Sequence, residues 1–211
     1  MAYFPLFVNL SGRFCLLAGG GPVAARKARS LADFGAAPVV VDPAPGEEIR
    51  SLGRRGVLTI RERVYGGPGE IAGAALVIAA SGDRELNRRI AADAGAAGIP
   101  VNVCDAPELC SFFFPALVKR GDLVAGISTS GVCPRLAARL RRRLDRRWPS
   151  GLGAALERLG EERRRLRGSA DPADPAGPAR IVGRLDRLIT RMLEEMDGTG
   201  EDGETPAGRG T

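Results

Sequence analysis

Residues Phe14 to Ala28 constrain this chain more than any other stretch, because they read as a buried strand, a glycine turn and a helix with nothing between them. Phe14, Cys15, Leu16, Leu17 and Ala18 form a short apolar run of the kind covered on both faces in a parallel sheet. Gly19, Gly20 and Gly21 break it. Helix formers at helical spacing (Ala24, Ala25, Lys27, Ala28, Leu31) follow at once, so a helix opens at Pro22 or Val23. Gly19-x-Gly21-x-x-Ala24 is therefore a dinucleotide-binding fingerprint in its proper setting. The first glycine permits the tight turn, the second lets backbone approach a pyrophosphate, and the small third residue lets helix pack closely on strand. A phosphate would sit at the helix N-terminus. The pattern also asks for an acid about 20 positions on, at the end of the next strand. Asp42 meets it after Pro38-Val39-Val40-Val41, with Gly35 as a C-cap for the intervening helix. A carboxylate there accepts hydrogen bonds from the ribose hydroxyls of NAD and repels the 2'-phosphate of NADP. The alternative for the same residues is an ordinary βαβ unit with a glycine-rich turn.

The rest of the chain extends this pattern and then leaves it. Tyr3 to Asn9 reads as a strand or extended arm. After Asp42 come a helix near Glu47 to Gly53, a short strand at Val57 to Ile60, a buried strand at Ala74 to Ala80, a helix from Arg84 to about Ala94 capped by Asp83 or Ser81, and a strand from Ile99 to Cys104. Strands alternating with helices mark a doubly wound parallel α/β sheet over residues 1–112. Beyond Asp105, Phe112 to Ile127 reads as an antiparallel hairpin turning at residues 119–122. Pro134 opens an arginine-rich helix to Arg147 in which Leu136, Leu140 and Leu144 sit four apart. A helix over Leu152 to Arg167, a linker over Gly168 to Ala179 and a third amphipathic helix follow, and residues 197–211 have the composition of a disordered tail.

Composition narrows the chemistry. The 211 residues contain no histidine, which removes Ser-His and Cys-His nucleophilic pairs, histidine metal ligands and histidine bases. Cys15, Cys104, Cys110 and Cys133 include no C-x-x-C pair, so no metal site is expected, and Cys15 and Cys104 fall in expected strands as small buried residues. A net charge of +6, carried almost wholly by arginine, implies an anionic partner or merely an arginine-biased composition. No apolar run approaches membrane-spanning length and the first residues lack a signal peptide's regions, so a cytoplasmic protein without a membrane partner is the expectation.

Several stretches together resemble precorrin-2 dehydrogenase, the dehydrogenase and ferrochelatase module of siroheme synthase. They are Pro5-Leu6-Phe7, Gly19 to Ala24 followed by Arg26-Lys27-Ala28, Val77 to Ser81 with Asn87, Val101-Asn102-Val103-Cys104-Asp105-Ala106-Pro107, Ser111-Phe112 with Pro115, and Ile127 to Gly131 with Pro134. The resemblance covers roughly residues 2–150 and is most specific at Asn-Val-x-Asp-x-Pro. It implies NAD-dependent oxidation of precorrin-2 to sirohydrochlorin, with ferrous iron inserted afterwards in some members. It also implies an intertwined homodimer built from a Rossmann domain (1–112), a dimerisation region with the hairpin and arginine-rich helix (113–147) and a small helical domain (148–196).

The candidate residues follow from both readings. Asp105, after a strand and at the position the resemblance implicates in catalysis, is the expected acid–base group. Gly19, Gly21, Pro22, Val23, Asp42, Pro43, Ala80, Ser81 and Asn102 form the expected cofactor site. Arg120, Arg135 and Arg139 suit the carboxylates of a tetrapyrrole, and Ser128, Thr129 and Ser130 lie where a helix start would hold one more. Two other classes remain open: an NAD-dependent enzyme acting on a different anionic substrate, and a nucleic-acid-binding or redox-sensing Rossmann protein using the arginines on phosphate. The second asks for base-reading aromatics among the arginines, and only Trp148 is near, so no nucleic-acid partner is expected.

Overall fold

The computed structural model describes residues 3–169 and 174–198, which fall into two compact units, Met1–Phe114 and Pro115–Thr211. In the first unit, five parallel strands stand in the order β3-β2-β1-β4-β5. They are β1 (Phe14–Ala18), β2 (Ala37–Val41), β3 (Thr59–Arg61), β4 (Leu76–Ala79) and β5 (Val101–Val103). Helices α1 (Pro22–Ala32), α2 (Glu47–Arg54) and α3 (Arg84–Ala96) make the crossovers. The strand order reverses between β1 and β4, and sheets of this kind hold ligands at the carboxyl ends of the strands at such a reversal.

Alternation along the strands explains the two faces. Cys15, Leu17, Val40 and Ile78 point to the side covered by α1 and α2, where Ala24, Ala25 and Ala28 allow α1 to lie close. Leu16, Ala18, Val77, Ala79, Val101 and Val103 point to the other side, under Ile90 and Ala94 of α3. Among the described residues of this unit no α-helix follows β5 to complete the first face, and the single 3-10 turn at Pro107–Leu109 packs Leu109 against the other one. Phe112 and Phe114 complete the first face, their rings 5.5 Å apart and packed against the α1 side of the core. Phe113, alternating away from them, meets the Tyr3 ring edge-on at 4.7 Å. The three phenylalanines therefore belong to the first unit, and the hairpin begins later than the sequence suggests. Its strands are β6 (Ala116–Arg120) and β7 (Leu123–Ile127), and its turn is Gly121-Asp122 with Gly121 at φ 59°. Continuous apolar character ran the two segments together in the sequence. Residues 3–10 form no strand and are an arm, and β5 ends one residue before Cys104.

The second unit joins this hairpin to α4 (Pro134–Arg147), α5 (Leu152–Gly168) and α6 (Gly177–Gly198). A Cβ on Gly153 would lie 2.9 Å from the backbone carbon of Arg120, so α5 begins against the hairpin turn at a distance only glycine allows. Arg120 holds the end of α4: its Nη2 donates to the Asp145 carbonyl and Oδ1, both at 2.9 Å, and to the Trp148 carbonyl at 3.3 Å. A cation on these carbonyls also complements the helix dipole. The expected leucine face of α4 is not closed within the unit, since Leu136 and Leu140 are 48% and 42% exposed and Ala137 is its buried residue. The expected tail from residue 199 onward and linker residues 170–173 lie outside the described residues.

Arg120→Met should leave the Asp145 carboxylate and helix-end carbonyls without this donor and cost about 1–3 kcal/mol. A lowered thermal midpoint with the far-ultraviolet dichroism retained is the expected result. An unchanged midpoint would free Arg120 for the substrate role expected from the sequence.

Candidate active site

The carboxyl edge of the sheet is drawn together by backbone bonds that run across it. Gly19 N–H donates to Val41 O at 3.0 Å, Ala80 N–H to Ala18 O at 2.7 Å, and Cys104 N–H to Ala79 O at 2.8 Å. The glycine turn, Ala80-Ser81 and the Cys104-Asp105 turn therefore share one rim. The three glycines differ in why they are glycine. Gly19 has φ 119°, and a Cβ there would lie 2.3 Å from Ala80 O. A Cβ on Gly20 would lie 2.7 Å from the Pro45 backbone and 2.9 Å from Asp42 Cγ. Gly21, the N-cap of α1, has extended backbone and nothing within 4 Å of its Cβ position.

That open space lies where the fingerprint requires backbone to approach a phosphate. The first turn of α1 contains no acid, and no side chain caps its N–H groups, so the helix end presents unneutralised donors. Pro22 takes the first helical position, where a missing N–H costs nothing, and Val23 is exposed beside it. Asp42, at the end of β2, accepts from Ala44 N–H at 2.7 Å through Oδ1, which fixes the carboxylate with Oδ2 uncommitted among the described contacts. Pro43 continues that loop at the surface. The closed approaches at Gly19 and Gly20, the open one at Gly21 and the anchored carboxylate of Asp42 fit a dinucleotide.

Other expected contacts are engaged inside the protein. Ser81 Oγ donates to Asn87 Oδ1 at 2.8 Å and Asn87 Nδ2 donates to Ser81 O at 3.0 Å, so the buried Asn87 shapes the loop after Ala80. Asp83 Oδ1 caps α3 by accepting from the N–H groups of Glu85 and Leu86. Asn102 is 5% exposed and both ends of its amide are used: Oδ1 accepts from Lys27 Nζ at 2.5 Å, and Nδ2 donates to Phe112 O at 3.0 Å. Asp105 is exposed, one of two non-glycine residues with positive φ among those described, at φ 61°. Aspartate tolerates that left-handed backbone better than most residues, and the turn leaves the residue exposed just past the strand end.

Lys27 carried no role in the sequence beyond its place in the family motif. Its lone occurrence in an arginine-dominated helix was the available signal. Its Nζ lies 4.3 Å from the centre of the Phe114 ring, and burial pulls its ammonium below the usual lysine range. Cys104 is half-buried, and the same desolvation raises its thiol, opposed by the Lys27 charge. Cys15 is fully buried and pushed up to about 11, as befits an inert core thiol.

In the second unit, Ser128 Oγ accepts from Ser130 N–H at 3.1 Å and Thr129 Oγ1 from Cys133 N–H at 3.2 Å. Ser130 at φ 52° and Gly131 at φ 81° complete a tight lead into α4. Arg135 and Arg139 are exposed on the first turns of that helix, whereas Arg120 is engaged at its far end. Among the described residues no cluster of three or more Cys, Asp or Glu is arranged to hold a metal ion, and no helix is long and apolar enough to cross a membrane.

Residues 6–116 match the NAD(P)-binding family model. The siroheme synthases of Pseudomonas paraeruginosa (strain PA7) and Pseudomonas aeruginosa (strain UCBPP-PA14) are each 48% identical to this chain over 153 residues, 72% of it and 33% of theirs. That of Methylococcus capsulatus (strain Bath) is 40% identical over 98% of this chain and 46% of its own length. The chain thus spans a third to just under half of the curated relatives it matches. Among solved structures, SirC, a precorrin-2 dehydrogenase, superposes with a TM-score of 0.68 at 22% identity, covering 93% of this chain and 100% of its own, which shows a shared fold.

Gly21→Ala should keep the fold, because its Cβ meets nothing, yet weaken dinucleotide binding by about tenfold or more by occupying the phosphate approach. Gly20→Ala should lower stability first, through Pro45 and Asp42. Calorimetric titration beside thermal melts checks both, and equal affinity of Gly21→Ala and wild type would remove the pyrophosphate from that turn.

Proposed function

This chain belongs to the NAD(P)-binding family, and we propose that it catalyses the dehydrogenation of precorrin-2 to sirohydrochlorin in siroheme biosynthesis, with NAD as acceptor. The observation that carries the reading is 48% identity to siroheme synthases across most of the chain, including the turn where Asp105 stands on the same sheet edge as the glycine cradle. The nicotinamide, when bound, supplies the hydride acceptor. Gly19 makes the tight turn, Gly21 admits the pyrophosphate, the N–H groups opening α1 hold it, and Asp42 accepts from the ribose. Substrate oxidation releases a proton together with the hydride, and in a chain without histidine the exposed Asp105 carboxylate is the base that takes it. Arg135 and Arg139 pair with substrate carboxylates, joined by the Ser128–Ser130 loop at the start of α4.

Two further parts belong to the same reading. Ferrous iron is a second substrate, inserted into sirohydrochlorin at the same Asp105 if the chain carries both activities. The protein acts as a homodimer. The support for self-association is the exposed run of Val132, Leu136 and Leu140. An enzyme on another anionic substrate would keep the cradle and Asp42 but would not need Asp105.

Asp105→Asn preserves the tolerance for positive φ while removing the base, so it should lower the rate by about 100-fold or more with NAD affinity little changed. Near-normal turnover would return Asp105 to a turn-forming role. Asp42→Ala should narrow the preference for NAD over NADP, and equal wild-type rates with the two cofactors would remove the ribose role. Light scattering should give a dimer at micromolar concentration, and a monomer would contradict that part of the reading.

A further inference from the structure

Lys27 connects three segments that are distant in sequence. It stands on α1, the helix whose first turn faces the nucleotide. Its Nζ donates to Asn102 Oδ1 on β5 at 2.5 Å and rests over the Phe114 ring. The bond reaches further than its two partners. An amide has chemically different ends, so a cation fixed at Oδ1 forces Nδ2 to point the other way. There it donates to Phe112 O at 3.0 Å and lies 3.6 Å from Cys110 Sγ. Cys110 Sγ accepts from Val103 N–H at 3.2 Å and has the carbonyl oxygens of Val103 and Ala106 at 3.2 and 3.4 Å, either of which its S–H can reach. Asp105 lies between those two carbonyls, in left-handed backbone. One buried amide and one thiol thus pin the turn that presents Asp105, and both are oriented from Lys27.

We propose that Lys27 is a positioning residue, holding the Asp105 turn in register with the nucleotide helix through Asn102 and Cys110. This deepens the assignment of Asp105 as the acid–base group and rests on it. The bond to Asn102 is charge-assisted and half-shielded from water, so it is stronger than a neutral surface contact. Removing the donor leaves Asn102 Oδ1 buried and unpaired, which favours reorientation of the amide and release of Phe112 O and the thiol. The electrostatic surroundings agree: against its desolvation and the repulsion of Arg26, the carboxylate of Asp105 on this turn favours the Lys27 charge.

The test compares Lys27→Met, which keeps an apolar stem on Phe114 without the donor, with Lys27→Arg, which restores one. In the free 211-residue chain, amide hydrogen exchange over residues 104–111 should speed up by about tenfold in the methionine variant while Phe14–Ala18 and Leu76–Ala79 stay protected. With precorrin-2 and NAD its kcat should fall by about tenfold or more with KM for NAD within about threefold, and the arginine variant should recover most of both losses. Unchanged exchange in Lys27→Met, or equal defects in the two variants, overturns the proposal. Should Lys27→Met fail to fold, Lys27→Gln takes its place, and unfolding of both overturns it by making Lys27 a residue of the core. A wild type without dehydrogenase activity would defeat the proposed function alone, since the exchange measurement still decides whether Lys27 holds the turn.

Discussion

The approach of Gly19 to the Ala80 carbonyl, so close that a Cβ would lie 2.3 Å from its oxygen, sets the geometry of everything at the carboxyl edge of the sheet. It is possible only because Gly19 takes φ 119°, and it turns the chain sharply enough for α1 to start over the strand it has just left. From that turn follow the open face at Gly21, the packing of Gly20 on the Asp42 loop and the alanine-lined seat of α1. A single methyl group at Gly19 or Gly20 would push apart elements that the rest of the first unit is built on.

A second constraint acts where the sheet lacks a helix. Alternating α/β units normally cover both faces with helices, but after β5 this chain returns through one short 3-10 turn and otherwise irregular backbone, and closes the face with Phe112 and Phe114. An irregular return needs partners for its backbone groups, and side chains supply them: the buried Asn102 donates to Phe112 O and Cys110 serves the 103–106 turn, while Ser111 Oγ of the return accepts from Val101 N–H of β5. The Asp105 turn is therefore held by side-chain chemistry rather than by a helix cap. That is why a lysine with little claim to notice in the sequence bears on the geometry of the turn.

What could be read from the sequence was local. The strand-turn-helix from Phe14, the acid at Asp42 and the cap at Asp83 are each encoded within a few residues, and the parallel sheet follows from their repetition. Interactions over long separations were not readable. Lys27 and Asn102 are 75 positions apart, and nothing in either neighbourhood announces the bond. Arg120 looked like a carboxylate ligand because it sits beside a turn, but α4 brings Asp145 and Trp148 back to it. The hairpin boundary was misplaced for a related reason: apolar continuity from Phe112 to Val118 conceals the change from core filler to strand, which depends on what each residue packs against.

The most direct test of the catalytic account is a single-turnover experiment with purified protein, precorrin-2 and NAD, without iron, following NADH and the tetrapyrrole spectrum together. The account expects NADH and sirohydrochlorin to appear at the same rate and in equal amounts, and neither to form without NAD. Precorrin-2 left unchanged beside bound NAD would contradict it, leaving a dinucleotide site that serves some other substrate.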